Sequence, residues 1–191
     1  MVVAAVHDMA NEGQEIDTAA LKTAVLRANQ QVLDAAAGNS SYEGMGSTAT
    51  ILHVDEHAGM AYYAHVGDSR LYLLRHGIFR QVSRDHSYVE ELVARGQLSE
   101  VEAQHHPRKN LLLRAVGIEE HLHVDGDSFP LAAGDRLLLA TDGLTNMVDD
   151  DELSSLLGGN FADVAERMVE RALAGGGSDN ITAIALAYEI P

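Results

Sequence analysis

The stretch Leu137-Leu138-Leu139-Ala140-Thr141-Asp142-Gly143-Leu144 decides how the chain is read. Its unbroken apolar run is compatible with a strand buried on both faces. The run stops at once in a hydroxyl, a carboxylate and a glycine. A carboxylate at the mouth of a buried strand is held rigidly, and such a position suits a hard cation. Asp-Gly is also a common turn pair. Taken alone, the stretch leaves a turn and a metal ligand both open.

The surrounding sequence supplies the layers for such a strand. Leu21, Ala24, Val25, Ala28, Val32 and Ala36 recur at helical spacing and predict a helix over residues 17–37, started by Asp17 or Thr18 and followed by Gly38. Short strands are expected over residues 51–54, 60–66, 70–75 and 78–82. The turns at 56–59 and 76–77 make them read as one antiparallel meander, interrupted by Gly67-Asp68-Ser69. Helical patterning returns over 86–104, where Ser99-Glu100-Val101-Glu102 has capping-box spacing, and again over 150–158 and 161–174. An apolar segment at 111–116 interrupted by Arg114, strand-like character over 122–129 and a last strand over 181–188 complete the chain. Strand blocks separated by helical blocks indicate α+β layers.

Composition narrows the function. Acidic residues number 29 against 13 basic ones, a formal charge of −16, which argues against nucleic acid or an anionic membrane as partner. The 46% apolar content fits a folded domain. The absence of cysteine removes disulfides, thiolate zinc sites and cysteine nucleophiles. No apolar run reaches the length of a membrane span, and a cytoplasmic protein is the expectation. The ten histidines include only one adjacent pair, His105-His106, and a histidine zinc site is not expected. His86 reads as part of a helix start. Residues 1–6 are apolar and break off into His7, Asp8, Asn11, Glu12 and Gly13.

Asp68, Asp142 and Asp179 share a setting: each lies at a strand end beside Gly or Ser, where backbone can approach closely. Three carboxylates brought together would repel strongly without a cation. All-oxygen ligation without cysteine selects Mg2+ or Mn2+. Separate turn aspartates are the plainer alternative.

Several motifs then occur in order: Gly46-Ser47-Thr48-Ala49, Val66-Gly67-Asp68-Ser69-Arg70-Leu71-Tyr72, Asp85-His86-Ser87, Asn110 through Arg114-Ala115-Val116-Gly117, Thr141-Asp142-Gly143-Leu144 and Gly177-Ser178-Asp179-Asn180-Ile181-Thr182. Together they resemble the metal-dependent protein phosphatases, the type 2C (PPM-type) serine/threonine phosphatases, in their bacterial form. The resemblance runs over about residues 15–188. It implies an α+β fold, a four-layer αββα sandwich of two antiparallel sheets, as a single domain over residues 1–191 with a flap over about 83–110. It implies that Asp142 and Asp179 hold one metal, with Thr141 standing where the family has a serine, and that Asp68 holds a further, weaker one, the ion being Mn2+ or Mg2+. Phosphorylated proteins are the implied partners.

The resemblance also marks a departure. The family's N-terminal strands, its phosphate-binding arginine and its Asp-Gly-x-Gly-Gly segment with the bridging aspartate have no counterpart here, and Asp8 and Glu12 match none of the missing ligands. No catalytic residue is assigned. The expectation is a metal-dependent phosphoserine/phosphothreonine phosphatase, truncated and weak or inactive as it stands. A non-catalytic phosphatase-like regulatory or binding module is the alternative. Missing strands would expose sheet edges and favour a homo-oligomer.

Overall fold

The protein is described by a computed structural model covering residues 2–11 and 15–189. It resolves into two compact units. One comprises the residues up to Asp68 together with Asp85–Phe129, and the other Ser69–Arg84 with the residues from Pro130 onward.

The first unit begins with helices α1 (Val2–Asn11) and α2 (Thr18–Gly38). α1 runs through His7 and Asp8, where the sequence had predicted a polar break; Glu12 and Gly13 lie outside the described residues. Asp17 caps α2 as expected, its Oδ1 accepting from the Ala20 amide at 2.8 Å. Most of the predicted stripe is the buried face: Leu21, Ala24, Val25, Ala28 and Val32 are buried and Ala36 is half-buried, and Leu21, Ala24, Val25 and Val32 pack with Ala64, Val66, Val116, Leu122 and Val124. Strands β1 (Ala49–Asp55), β2 (Met60–Val66) and β5 (Ser128–Pro130) form a three-stranded sheet in the order β1-β2-β5, with Ala49 opposite Val66 and Asp55 opposite Met60. Asn29 is the polar member of the α2 stripe. Buried, it accepts from the Gly117 amide at 2.6 Å and donates to the Glu119 carbonyl at 2.8 Å, which ties a loop to the helix without leaving its amide unpaired. Two short helices, α3 (Tyr88–Ala94) and α4 (Glu100–Gln104), occupy the segment read as a flap, and the Ser99 capping box is formed with Glu102.

The second unit contains β3 (Arg70–Arg75), β4 (Ile78–Gln81), β6 (Asp135–Ala140) and β7 (Ala183–Tyr188), antiparallel in the order β4-β3-β6-β7. Tyr72, Leu74, Leu138 and Ala140 share one face and pack with helices α6 (Asp150–Gly158) and α7 (Val164–Ala174) through Leu153, Leu157, Met168 and Ala172. Leu71, Leu73 and Leu137, on the other face, are also fully buried. The Leu137 strand is therefore buried on both faces, as its composition required. Tyr72 stacks on Phe79 with ring centroids 4.7 Å apart, and its hydroxyl donates to Asp150 at 3.2 Å. Burial pushes this phenol well above the ordinary tyrosine range.

One expectation is corrected. The strands over 49–81 do not form one meander: β1 and β2 belong to one sheet, β3 and β4 to the other. Gly67-Asp68-Ser69 is the crossing between the sheets and not an interruption of a strand. Alternation reveals that a segment is a strand but not which strand it pairs with.

Candidate functional site

β6 delivers Thr141 and Asp142 to the end of its sheet. Asp142 opens the four-residue helix α5 (Asp142–Thr145), so the Asp-Gly pair begins a helical turn. Thr141 binds the chain entering β7 on three counts. Its amide donates to the Thr182 carbonyl at 3.1 Å, its Oγ1 accepts from the Thr182 amide at 2.9 Å, and the hydroxyl donates to the Asn180 carbonyl at 3.2 Å. Gly143 completes the seam. A Cβ there would overlap the Asn180 carbonyl oxygen and lie 2.9 Å from its carbon, so only glycine permits this approach. The structure thus brings the Asp142 and Asp179 segments together. Asp142 is half-buried and Asp179 exposed, and the Asp179 carboxylate accepts from the Asn180 amide at 2.7 Å.

Asp68 lies in the first unit, just past the end of β2, and is half-buried. The residue before it is Gly67, at φ +110°, and a Cβ there would lie 2.6 Å from Thr48 Cβ. Both facts demand glycine. His86 closes on Gly67 from the other side: its amide donates to the Gly67 carbonyl at 2.7 Å, and its Nδ1 accepts from the Gly67 amide at 3.2 Å. The His86 ring Nε2 faces the Asp125 carboxylate at 3.3 Å. Asp125 in turn pairs with Arg114 and with His123, each at 3.0 Å. Burial lowers the His86 pKa, opposed by the Asp125 hydrogen bond. For Asp125, burial pulls upward, but the His86 hydrogen bond and the His86, Arg114 and His123 charges outweigh it and leave the carboxyl below its ordinary value.

His86 was expected to serve the helix start. The cap of α3 is Ser87, which accepts from the Glu90 amide, and His86 instead grips the Asp68 loop. His86, Arg114 and Asp125 are distant in sequence and gave no shared signal. The bridges joining Ser87 to Leu112 and His65 to Asp125 help bring them together.

The donor chemistry of Asp142 and Asp179 fits a hard divalent cation: carboxylate oxygens on a seam too tight for any side chain at residue 143. Mg2+ commonly takes one or two carboxylates and fills its remaining positions with water. Among the described residues, no group of three or more His, Asp or Glu side chains is gathered closely enough to hold a metal ion.

A sequence model of the protein phosphatase 2C family matches residues 1–184. The chain belongs to the protein phosphatase 2C family. It is 38% identical over 173 residues to the serine/threonine phosphatase stp of Listeria monocytogenes, covering 90% of this chain and 68% of that protein. Among solved structures it is similar to the Mycobacterium tuberculosis serine/threonine phosphatase PstP/Ppp, with a TM-score of 0.89 and 34% identity over 99% of this chain and 80% of that one. It is also similar to the PstP catalytic domain in complex with two manganese ions, with a TM-score of 0.85 and 33% identity over 96% and 77% of the two chains. The α+β fold with two antiparallel sheets and helices is that of protein phosphatase 2C structures. The function of the family is metal-dependent protein serine/threonine dephosphorylation, so phosphorylated proteins are the substrate class. The alternative of a non-catalytic module is not favoured by these relatives. No described helix is long and apolar enough to cross a membrane.

Proposed function

We propose that this protein phosphatase 2C chain, as one phosphatase-type domain, binds Mn2+ or Mg2+ through Asp142 and Asp179, with Asp68 as a further ligand on its own loop. We further propose that its hydrolysis of phosphoserine and phosphothreonine is weak in the 191-residue form. The observation that carries the metal assignment is the Thr141–Gly143 seam, which holds the Asp142 and Asp179 segments together with no space for a Cβ. The weakness follows from the absence of any Asp-Gly-x-Gly-Gly segment in the sequence. When bound, the divalent ion supplies Lewis acidity and a lowered pKa of coordinated water. The chain's own contribution is to hold the carboxylates: Thr141 fixes the backbone on either side of them, and Gly143 lets the two segments meet. His86 plays the corresponding part beside Asp68.

Titration calorimetry with Mn2+ tests the assignment, with p-nitrophenyl phosphate hydrolysis measured alongside. Binding in the unmodified chain that falls at least tenfold in Asp142→Asn and in Asp179→Asn is expected, a loss of about 1.4 kcal/mol or more. Binding unchanged by either substitution overturns the assignment. Robust Mn2+-dependent turnover, abolished by Asp142→Asn, overturns the weak activity while keeping the site.

A further inference from the structure

We infer that His86 is the positioning residue of the Asp68 loop, and that its two ring nitrogens have separate tasks. The inference rests on reading Asp68 as a cation ligand. An amide N–H can only donate, so the 3.2 Å contact from Gly67 requires an unprotonated His86 Nδ1. The ring proton then sits on Nε2 and is donated to Asp125 Oδ2 at 3.3 Å, so Arg114 Nη1, also 3.3 Å from Nε2, makes no hydrogen bond to the ring. Nδ1 sets the backbone immediately before Asp68, while Nε2 anchors the ring.

The anchor is itself braced. The backbones of Asp125 and His65 exchange hydrogen bonds at 2.8 and 3.0 Å, and Arg114 holds the opposite carboxylate oxygen. The fully buried His65 packs its ring 4.9 Å from that of His86, and its Nδ1 is 2.9 Å from Thr50 Oγ1. The His86 carbonyl accepts from the Leu113 amide at 2.7 Å, so the residue is fixed at backbone and ring alike. Gly67 has φ +110° and Thr48 filling the place where a Cβ would sit, which makes this loop costly to hold without a partner for its amide. A histidine 6% exposed with one nitrogen on a glycine amide and the other on a braced carboxylate is built to set that backbone. A role in packing alone would leave the identity of each nitrogen's partner without consequence.

Asparagine places an acceptor near the Nδ1 position, and glutamine places a donor near Nε2. The test compares His86→Asn, His86→Gln and Asp68→Asn in the full chain. It follows Gly67 amide exchange by NMR, paramagnetic broadening near residue 68 with Mn2+ alone, and the thermal midpoint. The expected result is that His86→Asn keeps Gly67 protection and Mn2+ broadening within about threefold of the parent. His86→Gln should lose about tenfold in both, the weight of about one hydrogen bond, although the thermal midpoints of the two variants fall together. Equal Gly67 protection in the Asn and Gln variants overturns the inference, as does full protection in the Gln variant. Broadening that survives Asp68→Asn overturns instead the reading of Asp68 as a ligand, and Gly67 exchange still reports the lock by itself.

Discussion

The loops that carry the candidate ligands are held by opposite means. In the second unit, the Asp142 and Asp179 segments are joined through the close approach at Gly143 and the hydrogen bonds of Thr141, and none of these contacts between the segments uses an ionisable side chain. In the first unit, the backbone before Asp68 is held by a side chain, His86, which depends on Asp125 and Arg114. A seam of backbone contacts is insensitive to pH and intolerant of added atoms. A histidine lock tolerates repacking but responds to protons. The two loops should therefore fail under different insults.

The strongest test of this contrast is Gly143→Ala. The added carbon meets the backbone of Asn180, which belongs to the chain entering β7 and has little freedom to withdraw. A loss of about 3 kcal/mol is expected, with the thermal midpoint lowered by roughly 6–12 °C. A midpoint within one or two degrees of the parent would show that the seam is looser than its geometry implies. Next comes Thr141→Val, which keeps the shape and removes the hydroxyl that serves Asn180 and Thr182. It should cost about 1–2 kcal/mol, and Thr141→Ser should recover most of it. Chemical denaturation of both variants measures the difference.

The smallest effect is the most discriminating. His86 has a lowered pKa because it is buried, so the unfolded chain binds the proton more readily than the folded one. Its contribution is fully present above the unfolded value, about 6.5, and is lost as pH falls below it. Protonation at Nδ1 also removes the acceptor for Gly67. The charged groups around the ring are Asp125, Arg114 and Asp85, with His65 packed against it. The Asp125 carboxyl lies below its ordinary value, so its contribution persists until pH drops below about 3.8, the lower limit of the window. Between pH 7 and 5, after correction for intrinsic exchange rates, Gly67 amide protection should fall while that of Thr182 stays level. Parallel loss at both amides would erase the distinction between the loops.

The elements were largely legible because each rests on local pattern. β2, β3 and the 150–158 helix have the predicted limits, and the α2 stripe is the buried one. Misplaced boundaries have physical causes. α7 begins at Val164 and not at 161, since Asp163 stands at its start, and β7 begins at Ala183 because Asn180 and Thr182 are engaged by Thr141. Of the strand-like stretch 122–129, only Ser128 and Phe129 enter a strand, and in the apolar segment 111–116 Leu111 and Leu113 are 47% and 44% exposed, so their apolar character did not signify burial. Within the site, Asp142 and Asp179 could be proposed because strand ends next to glycine are visible in sequence. The His86 lock could not, since Gly67, His86, Arg114 and Asp125 meet only through tertiary pairing.

The three-residue crossing at Gly67-Asp68-Ser69 has a consequence for synthesis. β3 and β4 leave the ribosome as a hairpin carrying Leu71, Tyr72 and Leu73, yet the strand that pairs with β3 is β6, which starts at Asp135. About 50 residues separate the end of β4 from that partner, roughly 3–10 s of translation at ordinary rates. Throughout that interval the hairpin has an apolar edge and no neighbour to cover it, a waiting state in which chaperone capture competes with aggregation. The same connection that carries Asp68 makes the second sheet the last to close.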